Sequence, residues 1–137
     1  MAIDAAESLT NLPVGIAYFG TSLLVYTIAL AVHVGIAPYP EFRLVRDGNA
    51  AAAAALAGAM LGLALPLASV VFHGDSMFDL LVWSVAALAV QLVVVAVLRR
   101  LVPDLNRGIV AGQVASGVVL GALGLAIGML NAAAMAY

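Results

Sequence analysis

Few side chains in this sequence could do chemistry, and most of them interrupt long apolar runs. Gln91 and Asn131 each offer an amide donor and a carbonyl acceptor, Tyr26 a phenol and His33 an imidazole. Polar groups inside hydrocarbon are costly and often functional. This set suits the lining of a path for an ion or a small neutral solute. It suits equally well the bonding of one helix to the next, worth about 0.5–2 kcal/mol per contact in lipid. For Gln91 and Asn131 interhelical bonding is the default. For His33, in the last turns of the first apolar run, the default is snorkelling or a bond to a neighbouring carbonyl. His73 stands at the opposite end of its own run, so the two histidines do not share a metal. Tyr26, mid-run, joins a polar lining or bonds a carbonyl.

Outside the runs, Glu41, Arg43, Arg46, Asp47 and Asn49 form a mixed-charge segment. Local salt bridges or lipid headgroup contacts are its default role, and a docking site for a soluble partner is the alternative. The sequence holds no Ser-His-Asp arrangement, no paired carboxylates within a run, no metal cluster and no phosphate-cradling glycine loop. With no cysteine, thiolate metal sites, disulfides and thiol nucleophiles are excluded. No cofactor is expected, and the chain reads as a non-enzyme. Without clustered basic residues, nucleic acid is not an expected partner.

The elements that must position these residues follow from composition. The hydrophobic fraction is 66%, against about 45–50% in ordinary globular chains. Charged residues are 9%, with no lysine, where soluble proteins carry about 25%. Most of the surface must therefore face lipid. Apolar runs long enough to span a bilayer as helices read from about Val14 to Ile36, Ala50 to Phe72, Leu80 to Leu98, and Ile109 almost to Tyr137. Pro13 suits a first helical turn. Asn49, after the turn-forming Gly48, suits an N-cap. Ser76 and Asp79 have capping-box spacing, and Pro38, Pro40 and Pro103 end the first and third runs. No Asp, Glu, Lys or Arg falls inside a span so drawn, which sets the chain apart from small proton-coupled exporters that need an intramembrane carboxylate.

All positive charges lie in two segments, Arg43 and Arg46 between the first two runs, and Arg99, Arg100 and Arg107 between the last two. Asp4, Glu7, Asp75 and Asp79 lie on the other side. The positive-inside rule puts both arginine segments in the cytoplasm and both termini outside it. The acidic N-terminus does not resemble a signal peptide, so the first run reads as a retained helix.

The two halves resemble each other. A shift of about 65 residues lays Tyr18 over Trp83, Tyr26 over Gln91 and Pro38 over Pro103, and one residue more lays Gly58 over Gly124 and Gly62 over Gly128. The expected fold class is an all-α membrane protein, a single transmembrane domain over 1–137. Its four transmembrane helices form two tandem helix hairpins of the same orientation, with repeats at about 14–72 and 79–137. A seam of mostly small residues runs along the second helix at Ala51, Ala55, Gly58, Gly62, Leu65 and Ser69, and along the fourth at Gly117, Gly121, Gly124, Gly128, Asn131 and Met135. Small faces let helix backbones approach closely, so these two helices should form the centre. Pro66 frees a carbonyl near Gly62, for Ser69 or water to satisfy.

Glu41, Gly48-Asn49 ahead of an alanine run, then Gly58, Gly62, Pro66 and Ser69, resemble the first half of the YjfL-like family, catalogued as a domain of unknown function, DUF 350. Trp83, Gln91, Asn131-Ala132-Ala133 and Met135 resemble its second half. The resemblance covers nearly the whole chain and implies a small bacterial inner-membrane protein with four helices in two repeats. The second half departs from a strict repeat. Gly112-Gln113 stands where a second Gly-Asn would be, and Asn106 or Arg107 stands near the counterpart of Glu41. The family supplies no activity. The expected role is a self-associating scaffold or an accessory subunit of a larger membrane complex, embedded in the lipid bilayer. The alternative is a channel or facilitator with Gln91, Asn131, Tyr26 and His33 in its path.

Overall fold

A computed structural model describes residues 5–136, with side chains described from Glu7 onward; Asp4, read as an outer-side residue, and Tyr137, near which the last run ends, lie outside them. The elements are α1 (Ala5–Ile36), α2 (Glu41–Arg46), α3 (Ala50–His73), α4 (Met77–Leu101), α5 (Pro103–Val110) and α6 (Val114–Ala134). Four of them, α1, α3, α4 and α6, are long and apolar enough to cross a membrane.

Three boundaries differ from the sequence reading. Helix α1 starts well before Val14 and carries Pro13 inside it. The proline leaves the Leu9 carbonyl without its helical donor, at a position where the side chain is exposed and the loss is tolerated. At 32 residues, α1 is about 48 Å long, which exceeds a hydrocarbon thickness of about 30 Å. Helix α4 runs through Arg99 and Arg100 to Leu101, placing charge within a long helix. The last apolar run is broken after Val110, so Ile109 belongs to α5 and the fourth long helix starts at Val114.

The break has a local cause. Gly112 adopts φ +80°, as Gly48 does at +85°, a conformation that suits glycine. At the first site Gly48 N–H donates to the Val45 carbonyl at 3.0 Å and Asn49 N–H to that of Leu44 at 2.9 Å. At the second, Gly112 N–H donates to Ile109 at 3.0 Å and Gln113 N–H to Gly108 at 2.8 Å. Both are the double-bonded glycine stop of a helix, and each leads into the start of a long helix.

Asn49 caps α3, its Oδ1 accepting from Ala52 N–H at 2.9 Å, while its Nδ2 donates to the Ile109 carbonyl at 2.8 Å. Gln113 holds the equivalent place before α6 without a side-chain cap. Asn49 thus joins the start of α3 to α5, and Asn49→Ala should cost about 2 kcal/mol, the sum of a cap and one further bond. Unfolding in a detergent titration checks this, with Asn49→Asp keeping the cap and losing only the bond to Ile109. Ser76 caps α4, accepting from Asp79 N–H at 3.1 Å and donating to its carboxylate at 2.9 Å.

Helices α3 and α6 pack backbone to backbone. A Cβ added to Gly117 would collide with Ala51, one on Gly58 with Gly121, and one on Gly128 with Gly62. Farther along, Ser69 Oγ donates to the Ala132 carbonyl at 2.8 Å. The pairs rise together in number, so the two helices run parallel. Helices α1 and α4 lie outside this pair. Leu63 and Leu88 with Ala29 form the middle of the core; Val70, Leu80 and Ala87 fill one end, and Tyr39, the α3 alanines, Ile109 and Leu120 fill the other.

Candidate functional site

The bundle's most polar interior lies at the end where α1 and α4 finish. Pro38 and Pro40 keep the chain from continuing α1, and α2 begins at Glu41 immediately after Pro40. That turn sends Glu41 inward, where it has no exposed surface. Arg99, from the last turn of α4, reaches the same point with 5% exposure, and His33, from the last turn of α1, with 2%. Arg99 Nη2 donates to Glu41 Oε1 at 2.6 Å and lies 3.2 Å from His33 Nε2. His33 Nε2 is 3.5 Å from the same carboxylate oxygen. The Arg99 guanidinium also sits 5.4 Å from the centre of the Tyr39 ring, within cation–π range.

The cluster is incompletely bonded. Glu41 Oε2, Arg99 Nε and Nη1 and the Tyr39 hydroxyl are buried without a hydrogen-bond partner, and nearby Asn106 Oδ1 is as well. Asn106 Nδ2 donates to the Arg99 carbonyl at 2.8 Å, tying α5 to the end of α4. Burial pushes the Glu41 carboxyl up, but hydrogen bonds from His33 and Arg99 and the arginine charge outweigh it and hold the group below the ordinary carboxylate value. Burial pushes the Tyr39 phenol up.

A lowered folded-state pKa means that Glu41 stabilises the fold fully above its unfolded value of 4.5. That contribution is lost as pH falls through the still lower folded value. Melting temperature in neutral detergent should therefore fall as pH is taken below about 4.5, and Glu41→Gln should flatten that part of the curve.

Glu41 was expected to pair locally or to meet headgroups. Instead it is buried against Arg99, 58 residues away. Arg43, Arg46 and Asp47 remain exposed and Asn49 is half-buried as the cap. His33, expected to snorkel or bond a carbonyl, faces Glu41 and Arg99. The sequence reading puts Arg99 among the cytoplasmic charges and assigns neither it nor Tyr39 to a site. The repeat does not mark Arg99, because the shift of about 65 residues that relates the first and third runs lays His33 over Leu98.

The other polar residues lie deeper and apart from this cluster. Gln91 Nε2 donates to the Gly124 carbonyl at 3.2 Å, and Asn131 Nδ2 to that of Ala87 at 2.8 Å. Tyr26 donates to the Met60 carbonyl at 3.0 Å. Ala51, Ala55, Gly58, Gly62, Gly117, Gly121, Gly124 and Gly128 are buried in the α3–α6 contact, while Leu65, Ser69 and Met135 are only partly covered. Ser69 bonds α6 and leaves the carbonyl freed by Pro66 to others. His73 Nδ1 lies 2.8 Å from the Ser69 carbonyl.

A family model described as Domain of Unknown Function (DUF350) matches residues 7–135. The chain belongs to this family. It is also 35% identical over 121 residues, 88% of its own length and 92% of the relative's, to UPF0719 inner membrane protein YjfL of Escherichia coli K12, and to the same degree to that of Escherichia coli O157:H7. No solved structure matches. Within this DUF350 chain the match takes in α3 and α6, all of α4, and the buried Glu41–Arg99–His33 cluster.

Proposed function

We propose that this DUF350 protein is a non-enzymatic inner-membrane scaffold that associates with itself, or serves as an accessory subunit of a larger membrane complex. Its body is one transmembrane domain made of two tandem hairpins of the same orientation, with the arginine-bearing ends of the helices in the cytoplasm and both termini outside. The inner-membrane relatives support the location. The parallel course of α3 and α6 and the matched glycine stops at Gly48 and Gly112 support the duplication.

One observation carries the scaffold reading. The in-span polar side chains Gln91, Asn131 and Tyr26 all donate to backbone carbonyls of neighbouring helices. Their bonding capacity goes into holding the bundle together, around a centre where glycine backbones already touch. Such a body is a rigid tile whose outward faces are apolar.

The test is the mass of the complex extracted in mild detergent, paired with flux in liposomes. A scaffold gives a stable oligomer of fixed stoichiometry, or one co-purifying partner, and no more ion or solute flux than empty vesicles. A lone monomer would overturn it. So would flux that changes in Gln91→Leu or Asn131→Leu, which would make the protein a channel or facilitator.

A further inference from the structure

We propose that the cleft between the Pro38 and Pro103 turns binds the phosphate group of an anionic phospholipid whose headgroup carries hydroxyls. The proposal rests on the chain's lying in a bilayer and is independent of the scaffold role. Two adjoining cavities, of about 370 and 390 Å³, share Pro38, Pro103 and Asn106 in their walls. Arg99 and Arg100 line one, and Tyr39 and Arg107 the other.

Arg99 supplies the directional chemistry. A guanidinium has five N–H donors and no acceptor. Here Nη2 donates to Glu41, while buried Nε and Nη1 have no partner. The buried Tyr39 hydroxyl is a further unused donor. Phosphate oxygens are acceptors that suit the planar arginine fork. Glu41 offsets the charge of Arg99, so the net attraction comes from the rim. Arg100 is exposed and makes no ion pair among the described residues. Arg107 has only an exposed pair with Asp104 at 3.3 Å, which competes weakly with another anion.

One feature favours a lipid over free phosphate. Ile36, Ala96 and Val110 continue the walls as apolar surface, a bed for the glycerol and first methylenes of a lipid. The unpartnered Asn106 Oδ1 in the shared wall needs a donor; a phosphodiester has none, so in a lipid the donor is a headgroup hydroxyl, whereas free phosphate carries its own.

The experiment is native mass spectrometry of the full chain released from equimolar phosphatidylglycerol and phosphatidylcholine, with inorganic phosphate binding measured separately on protein in phosphatidylcholine alone. Wild type should retain one phosphatidylglycerol with a preference of roughly tenfold or more, given about 1 kcal/mol per interfacial arginine. R100Q/R107Q, altered only at exposed positions, should melt like wild type and lose most of that preference. Saturable phosphate binding without lipid preference would overturn the lipid as the source while keeping phosphate recognition. Equal retention of both lipids with no phosphate binding would overturn the site itself. So would an unchanged preference in R100Q/R107Q.

Discussion

Glu41→Leu alone should destabilise the fold by about 3–5 kcal/mol, and Arg99→Leu by a similar amount, because each leaves a buried charge without its counterion. The double replacement Glu41→Leu/Arg99→Leu should recover most of the loss. Two charges removed from water are expensive to hold, and their mutual attraction offsets that cost only when both are present. The pair here is short, at 2.6 Å, but several remaining donors and acceptors lack partners. The ion pair is therefore a weak source of net stability and a strong source of dependence between its members. Equilibrium unfolding of the four proteins in a mixed-detergent titration reads this coupling directly. Additive losses in the double variant would mean that the two side chains do not act as a pair. His33→Leu should cost less than either, since it removes a partner at the longer distance of 3.5 Å and leaves the Glu41–Arg99 pair in place.

Gly58→Ala, a change of one methyl group, should cost at least about 3 kcal/mol, at the upper end of what overpacking does in a tight core. Its new Cβ would fall on the backbone of Gly121, and backbone cannot step aside as a side chain can. Gly117→Ala, against the backbone of Ala51, and Gly128→Ala, against that of Gly62, should behave alike. Gly15→Ala and Gly20→Ala are the controls, since open space surrounds both positions in α1. They should be neutral or slightly stabilising, alanine being the better helix former by about 1 kcal/mol. Comparison of the five variants by detergent unfolding separates close packing from helix propensity. Equal effects at Gly15 and Gly58 would show that the α3–α6 contact does not hold the bundle.

The features legible in the sequence are those set by local chemistry or by a face of one helix. Asn49 and Ser76 are caps because their short side chains reach the first free N–H groups of α3 and α4. Gly58, Gly62, Gly121 and Gly128 are recognisable because their spacing places them on single helix faces. The buried cluster was not legible, for a physical reason. A hydropathy window stops where charge begins, at Leu98, but helical hydrogen bonding does not, and α4 continues to Leu101. The ends of apolar runs therefore hide charges that a partner neutralises, and that partner, Glu41, comes from a distant segment. The break before α6 was missed for the converse reason. Gly112 sits in an apolar stretch that reads as continuous helix, and only its likeness to Gly48 marks the stop.

The glycine contact between α3 and α6 also has a consequence for biogenesis. The two halves of that contact are separated by α4 and α5, so α3 leaves the ribosome roughly 60 residues ahead of the end of its partner, about 3–12 seconds at ordinary elongation rates. During that interval α3 rests in the nascent bundle with its groove of bare backbone uncovered. On a crowded polysome, the same bare face of another nascent copy lies within reach. Slowing translation between α4 and α6 should raise the yield of chains interlocked through α3, whereas co-producing the second half as a separate fragment should suppress them.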